Sequence, residues 1–185
     1  MDPIEQLSYI LPTLTAVVDR IEPGQLGDAT PCANFSVRDV LDHMMVGGGT
    51  FAYVFRGEDP PEVTAPDVGD RVPVAEFRKA MDDLLAAVKS PGAMERTINA
   101  PFGEVPGSVF ASFVAFDGLI HGWDLATSTK QNYQVPPAVI SSVDEFARNA
   151  LGPDMRDGDT FKDETPVPEG ADQLERLVAF SGRSL

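Results

Sequence analysis

The 185-residue sequence predicts an all-α fold, an antiparallel bundle of four substantial helices with an additional helix and long loops. Two observations support this fold class. Apolar residues recur every three or four positions through most segments, which is the period of a helix with one buried face. Hydrophobic residues make up 43% of the chain, which is enough for a globular core. Since no linker or internal repeat divides the sequence, we expect a single domain over residues 1–185.

The first predicted helix begins with a capping sequence. Asp2 can accept hydrogen bonds from the amides of the first turn, Pro3 suits the first helical position, and Glu5 completes the pattern. Apolar positions then continue until the Pro-Gly pair at 23–24, which predicts the end of the helix. Pro12 lies inside this pattern, so we expect either a kink there or a later start of the helix.

The second predicted helix begins after a loop over residues 27–35. Ser36 is the expected cap, with Asp39 at the third helical position. Three consecutive glycines at 47–49 interrupt its apolar stripe, although each glycine costs a helix about 1 kcal/mol relative to alanine. We therefore expect either a bend at these glycines or the close approach of another backbone or a ligand.

The other elements follow from the same periodicity and from the positions of Pro and Gly. They are a surface loop over residues 56–73, a third helix over 74–88, an irregular segment over 90–107 with a short hairpin around 102–105, a fourth helix over 108–128, a fifth helix over 136–150, a loop over 152–170, and a last short helix that contains residues 174–180.

Charge and composition exclude several classes of function. The formal net charge is -15, which argues against binding of nucleic acid or of anionic membranes, because both require basic patches. No apolar run looks long enough to span a bilayer, and the acidic N-terminus is unlike a secretory signal. We therefore expect a cytoplasmic protein. The single cysteine, Cys32, excludes an intramolecular disulfide and reads as a small buried apolar residue rather than a nucleophile.

The candidate functional residues lie in two of the helices. The chain contains two histidines, His43 in the second helix and His121 in the fourth. Asp117, His121 and Asp124 share one face of the fourth helix, together with apolar residues that should make this face the buried one. Buried polar groups without partners cost several kcal/mol, so something must satisfy them. A metal ion bound by Asp117 and His121, with His43 as the third ligand, would do so.

Two histidines and one carboxylate leave open coordination positions, which suits catalysis better than a purely structural role. Zinc is the default metal, with nickel, iron or manganese as alternatives. Asp124 is the candidate for orienting a ligating histidine through its second ring nitrogen. The residues alone leave a metal-free interpretation open, in which His43, Asp117 and His121 form a buried hydrogen-bonded cluster. No residue stands out as a general base, so no catalytic residue is assigned.

Four segments resemble one known family. Residues 30–43 read TPCANFSVRDVLDH and resemble the TPCxxWxVRDLLxH segment of actinobacterial DinB-like proteins, which are relatives of the N-terminal domain of mycothiol-dependent maleylpyruvate isomerase. Residues 102–107 (FGEVPG), 117–126 (DGLIHGWDLA) and 172–183 (DQLERLVAFSGR) are similar to further motifs of the group. Phe35 stands where the family usually has Trp, and Asp117 where the isomerase itself has Glu. The resemblance spans nearly the whole chain.

The resemblance implies a DinB-like four-helix bundle with a metal ion between its helices, whose ligands correspond to His43, Asp117 and His121. It also implies a thiol-dependent transferase or isomerase, in which the metal lowers the pKa of a low-molecular-weight thiol such as mycothiol or bacillithiol, and the thiolate attacks a small electrophile. A homodimer is a further expectation from the resemblance. A shared fold does not fix the reaction, so the alternative is a non-catalytic, metal-stabilised binding module.

Overall fold

The computed structural model of the protein describes residues 1–156 and 162–185. Two strands, β1 (Thr97–Ala100) and β2 (Gly103–Pro106), pair as an antiparallel hairpin. The other regular elements within the described residues are the α-helices α1 Pro3–Val18, α2 Val37–Arg56, α3 Val74–Val88, α4 Gly107–Ser128, α5 Pro137–Ala150 and α6 Gln173–Phe180, together with two short 3₁₀ turns. The predicted mainly helical fold class is confirmed.

The first four helices pack in a ring. α1 contacts α3 and α4, and α2 contacts the same two helices. α5 packs against α4 and α1, and α6 packs against α5. One hydrophobic cluster draws buried side chains from all six of these helices. Because α2 and α4 are neighbours in the ring, residues on their facing sides can meet.

The predicted caps of α1 and α2 are present. The Asp2 side chain accepts a hydrogen bond from the Glu5 amide, and Ser36 accepts one from the Asp39 amide; in both pairs the acid bonds back to the cap. The expected later start of α1 is wrong, because this helix begins at Pro3 and continues through Pro12. Pro12 is exposed, while the opposite face of α1 is buried in the core, and that packing stabilises the helix around the missing amide.

The glycines at 47–49 lie within an uninterrupted α2. A Cβ atom added to Gly48 would be 2.7 Å from Met81 Cε and 3.4 Å from the carbonyl oxygen of Ala80, so this position lets α2 approach α3 closely. A Cβ on Gly47 would meet the ring of Phe51 at an ordinary 3.5 Å. The close approach of another backbone is therefore found at Gly48.

The loops also follow the expectation, with small differences. No helix or strand interrupts residues 57–73. The loop predicted over residues 152–170 begins with a 3₁₀ turn, Pro153–Met155, and its residues 157–161 lie outside the part that the structure describes. In the hairpin, Phe102 lies in the turn between the two strands rather than in a strand.

The helix α4 is buried on nearly all sides, by α1, α2, α5 and the hairpin. By length and composition alone, α4 is long and apolar enough to span a membrane. This differs from the prediction that no apolar run of the chain reaches that length. Within the bundle, 78% of its most apolar 18-residue window is buried. Its apolar character is therefore explained by its position in the core.

The start of α4 depends on Gly107. The amide of Gly107 donates to the carbonyl of Arg96, and the amide of Ser108 donates to that of Met94, so the preceding loop satisfies two free amides of the helix. A Cβ at Gly107 would overlap the carbonyl oxygen of Ala93 and lie 3.0 Å from its carbonyl carbon. Backbone rather than a flexible side chain fills this space.

We expect Gly107→Ala to lower the free energy of unfolding by about 1–3 kcal/mol, because α4 would have to move away from the loop. Gly47→Ala is the matched control, since it also lies in a helix but has room for a methyl group. It should raise stability by up to about 1 kcal/mol through helix propensity. Urea unfolding of both variants measures the difference, and equal stabilities would contradict the proposed overlap.

Candidate metal centre

Three side chains from α2 and α4 converge on one point. His43 projects from α2, and Asp117 and His121 lie one turn apart on α4. The Nε2 atom of His121 is 3.4 Å from Oδ1 of Asp117, and the Nε2 atom of His43 is 3.7 Å from Oδ2 of the same carboxylate. Each residue offers one ligand atom within 4.8 Å of the others, and the two imidazole centroids are 5.0 Å apart.

These distances fit a divalent cation. Two donors that each bind Zn²⁺ at about 2.0–2.1 Å in a tetrahedral arrangement lie about 3.4 Å apart. The measured separations from Asp117 to the two histidines are 3.4 and 3.7 Å. The donor set, two imidazoles and one carboxylate, is also one that Zn²⁺ and other first-row metal ions use. The three residues that the sequence singled out can therefore converge on a single ion.

Asp124 lies behind His121, on the side away from Asp117. Its Oδ2 atom is 3.0 Å from Nδ1 of His121, and its side chain is fully buried. With Nδ1–H donating to this carboxylate, Nε2 of a neutral His121 is the nitrogen with a free lone pair, and it faces Asp117. Asp124 thus holds the ring in the orientation and tautomer that a metal ligand needs.

Arg183, in the segment after α6, also contacts Asp124. Its Nη2 atom donates to Oδ2 of Asp124 at 3.2 Å, and the arginine is 9% exposed. The pair balances a buried negative charge with a buried positive one. Oδ1 of Asp124 and Nε of Arg183 have no hydrogen-bond partner among the described residues. From the sequence, Arg183 was recognised only as part of the motif at 172–183, and no role could be predicted for it.

The charges of the cluster shift the pKa values of His121 and Asp117. Burial alone would lower the pKa of His121, but the facing carboxylate of Asp117 and the hydrogen bonds to Asp117 and Asp124 outweigh it and raise the pKa to about 9. Burial alone would raise the pKa of Asp117, but His121 and His43 hold it well below its usual range. Without a metal ion, His121 is therefore an imidazolium and Asp117 a carboxylate at neutral pH.

A cavity of about 490 Å³ opens beside the cluster. His43 and Asp117 are part of its wall, which explains why their side chains are 44% and 42% exposed while that of His121 is 7% exposed. The described wall also includes residues of α2, α3, α4 and the β1–β2 turn, together with Met155 from the 3₁₀ turn after α5. The outline of this cavity could not be predicted from the sequence, because it depends on how α2, α3 and α4 pack together with the hairpin turn.

Cys32 lies closer to the centre than the sequence suggested. Its sulfur is within 4.8 Å of ligand atoms of His121 and Asp124, so these three residues form a second group of metal-donor type. The thiol is half-buried, and burial raises its pKa, which disfavours the thiolate that binds metals. His121 and Asp124 are also already paired through Nδ1 at 3.0 Å. The group of His43, Asp117 and His121 is therefore the better candidate.

The raised pKa of His121 predicts how the stability of the metal-free protein depends on pH. The protonated imidazole is favoured in the folded state, so its contribution is fully present below its ordinary pKa of 6.5 and is lost as the pH rises towards about 9. We expect the free energy of unfolding to fall by up to about 3 kcal/mol over this interval. Urea unfolding of chelator-treated protein measures this, and His121→Ala should flatten the profile. An unfolding free energy that does not fall in this interval would contradict the assignment.

Comparison with known proteins agrees with this architecture. The family model of the mycothiol maleylpyruvate isomerase N-terminal domain matches residues 10–126, a segment that contains His43, Asp117, His121 and Asp124. Two uncharacterised proteins from two strains of Mycobacterium tuberculosis are each 33% identical to the chain over 186 residues, with full coverage of both partners.

A crystal structure of the mycothiol-dependent maleylpyruvate isomerase superposes with a TM-score of 0.56 at 13% identity, covering 77% of this chain and 66% of that one. This likeness concerns the fold alone, and the chain corresponds to slightly less than two thirds of that isomerase. The match to the family model covers more than half of the chain, and the resemblance inferred from the four motifs is confirmed. The chain belongs to the family of the mycothiol maleylpyruvate isomerase N-terminal domain.

Proposed function

We propose that this protein, as a single domain, binds one divalent metal ion through His43, Asp117 and His121. We further propose that it acts as a thiol-dependent transferase or isomerase on a small electrophile, with zinc as the default metal and mycothiol or a similar thiol as the co-substrate. The observation that carries the proposal is the convergence of three metal-donor side chains at the wall of a cavity of about 490 Å³. Membership of a family named for a mycothiol-dependent isomerase supports the choice of a thiol.

A divalent ion, when bound, would lower the pKa of a coordinated thiol so that the thiol reacts as a thiolate. The chain's own residues provide the arrangement. His43 and Asp117 border the cavity, so an electrophile bound there lies next to the donor cluster. Asp124 fixes the His121 ring, and the largely apolar wall provides a surface for the electrophile beside the two donors.

The chemistry balances without a further reagent. The thiolate sulfur forms a bond to the electrophilic carbon of an activated double bond, while the π electron pair shifts to the adjacent carbonyl group. In an isomerase, rotation about the former double bond and reversal of the step release the thiol unchanged. In a transferase, the carbon next to the carbonyl group takes up one proton, so that the adduct contains as many protons as the thiol and the alkene together. His43 and Asp117 are the ionisable side chains among the described wall residues.

The proposed function is tested by measuring thiol-dependent chemistry of the metal-loaded protein. Zinc-loaded protein is incubated with mycothiol and a panel of activated alkenes, and both thiol loss and cis–trans isomerisation are followed. We expect turnover that EDTA and His121→Ala abolish and that Asp82→Ala, on the exposed face of α3, leaves intact. Stoichiometric metal without thiol-dependent chemistry on any electrophile would refute the enzyme and leave the metal-stabilised binding module.

A further inference from the structure

The cavity also indicates the chemical class of the electrophile. We propose that it binds a neutral, largely apolar small molecule rather than an organic anion. This inference rests on the proposed function for the role of the molecule as substrate, but the binding that it describes requires no turnover.

Apolar side chains from three helices line the wall. Met44 and Phe51 come from α2, Met81 and Leu84 from α3, and Phe110 and Phe113 from α4. No lysine or arginine lies among the wall residues that the structure describes. The volume, about 490 Å³, is within the range of roughly 300–1,000 Å³ typical of pockets that bind small organic ligands. Binding of an apolar ligand to such a surface is favourable, because it removes apolar area of the ligand from water.

Aromatic rings line much of this wall. Phe51 and Phe110 meet edge to face with centroids 5.0 Å apart. Phe102, in the β1–β2 turn, packs against Phe113 at 4.6 Å and is itself 44% exposed. Rings in these orientations present both faces and edges to a ligand. A flat or branched apolar molecule can therefore contact them closely without rearrangement of the helices.

An anionic ligand would find no compensating charge here. A buried carboxylate costs several kcal/mol unless it is paired, and Asp117 adds a negative charge to the wall of the cavity. In the proposed function the charge of the divalent ion is balanced by Asp117 and the thiolate, so no positive charge remains for a second anion. The net charge of -15 further repels anions at long range.

Two fluorescent probes with the same ring system test this directly. Phenylnaphthylamine is neutral, and anilinonaphthalene sulfonate is the same molecule with one sulfonate. Titrations are made on zinc-loaded and chelator-treated protein at about 0.5 M NaCl, which screens the long-range repulsion. We expect the neutral probe to bind at least about tenfold more tightly in both forms. Equal or tighter binding of the sulfonate, or no binding of the neutral probe, would overturn the inference.

Variants locate the probe and test the role of charge. Gly47 lies in the wall with room for a side chain, so Gly47→Leu should fill the cavity and weaken binding of the neutral probe at least about tenfold. Gly27→Leu, at an exposed glycine outside the cavity, is the control. Phe51→Arg, at a half-buried position where the long side chain can reach solvent, should shift the preference towards the sulfonate. Unchanged affinity in Gly47→Leu would refute binding at this cavity.

The two proposals fail in different ways. If the neutral probe binds in the cavity but no thiol-dependent chemistry is found, the proposed function is refuted and the ligand class stands. If thiol chemistry is found but proceeds faster with carboxylate-bearing electrophiles than with their neutral esters, the function stands and the inference is refuted.

Discussion

Replacing His121 by alanine is expected to abolish metal binding at the centre formed with His43 and Asp117. His121 supplies one of three donors, and it is the buried one, held by Asp124 at 3.0 Å. Removal of a partner that merely orients a metal ligand already costs roughly 10–100-fold in affinity, so removal of the ligand itself should cost at least about a hundredfold. Mass spectrometry of the metal content of untagged protein should give about one equivalent for the native chain and almost none for the variant.

Companion variants sharpen this measurement. His43→Ala removes the donor from α2, and Asp117→Asn keeps the shape of the side chain but removes its charge. Both should weaken zinc binding strongly, whereas Asp82→Ala removes an exposed carboxylate of α3 and should retain the metal. A native chain that takes up neither zinc nor nickel would refute the metal centre and leave the hydrogen-bonded cluster. A full equivalent of metal in the His121→Ala variant would show that the ion binds at another site.

Local signals made most of the fold predictable. The bounds of α3 agree with the prediction at both ends, because its apolar period begins and ends abruptly. The caps at Asp2 and Ser36 were predictable because capping depends on residues within one turn. The later start of α1 considered at Pro12 is not found, because the burial of α1 stabilises the helix through this proline, and that burial is a tertiary effect that the sequence of one helix does not contain.

In the candidate site, too, some residues could be predicted from local sequence and others only from the tertiary structure. Asp117 and His121 could be paired from their helical spacing, and His43 followed because it is the only other histidine of the chain. Arg183 and Cys32 reach the cluster from the chain terminus and from the loop before α2, and no local pattern places those segments beside α4. The cavity depends on the packing of three helices, α2, α3 and α4, and on Phe102 and Met155 from two other segments, so no single segment encodes it.

The second large effect is expected at Asp124, where loss of one carboxylate leaves two groups without their partner. Arg183 is 9% exposed and would keep a buried positive charge, while Nδ1 of His121 would lose its acceptor. Breaking a buried ion pair from one side costs about 3–5 kcal/mol, so Asp124→Ala should lower the free energy of unfolding by that amount. Asp144→Ala breaks the exposed pair with Arg148 on α5 and should cost about 0.5 kcal/mol or less.

A double-mutant cycle separates the two roles of Asp124. Asp124→Ala combined with Arg183→Met removes both charges, so we expect it to be more stable than Asp124→Ala alone, since no buried charge then lacks a partner. Zinc affinity should behave differently. It should fall roughly 10–100-fold in Asp124→Ala and stay low in the double variant, because the orientation of His121 depends on the carboxylate and not on the arginine. If Arg183→Met restored zinc affinity along with stability, Asp124 would act only through the fold. If neither quantity changed in Asp124→Ala, the buried pair would be energetically neutral and His121 would be oriented by other contacts.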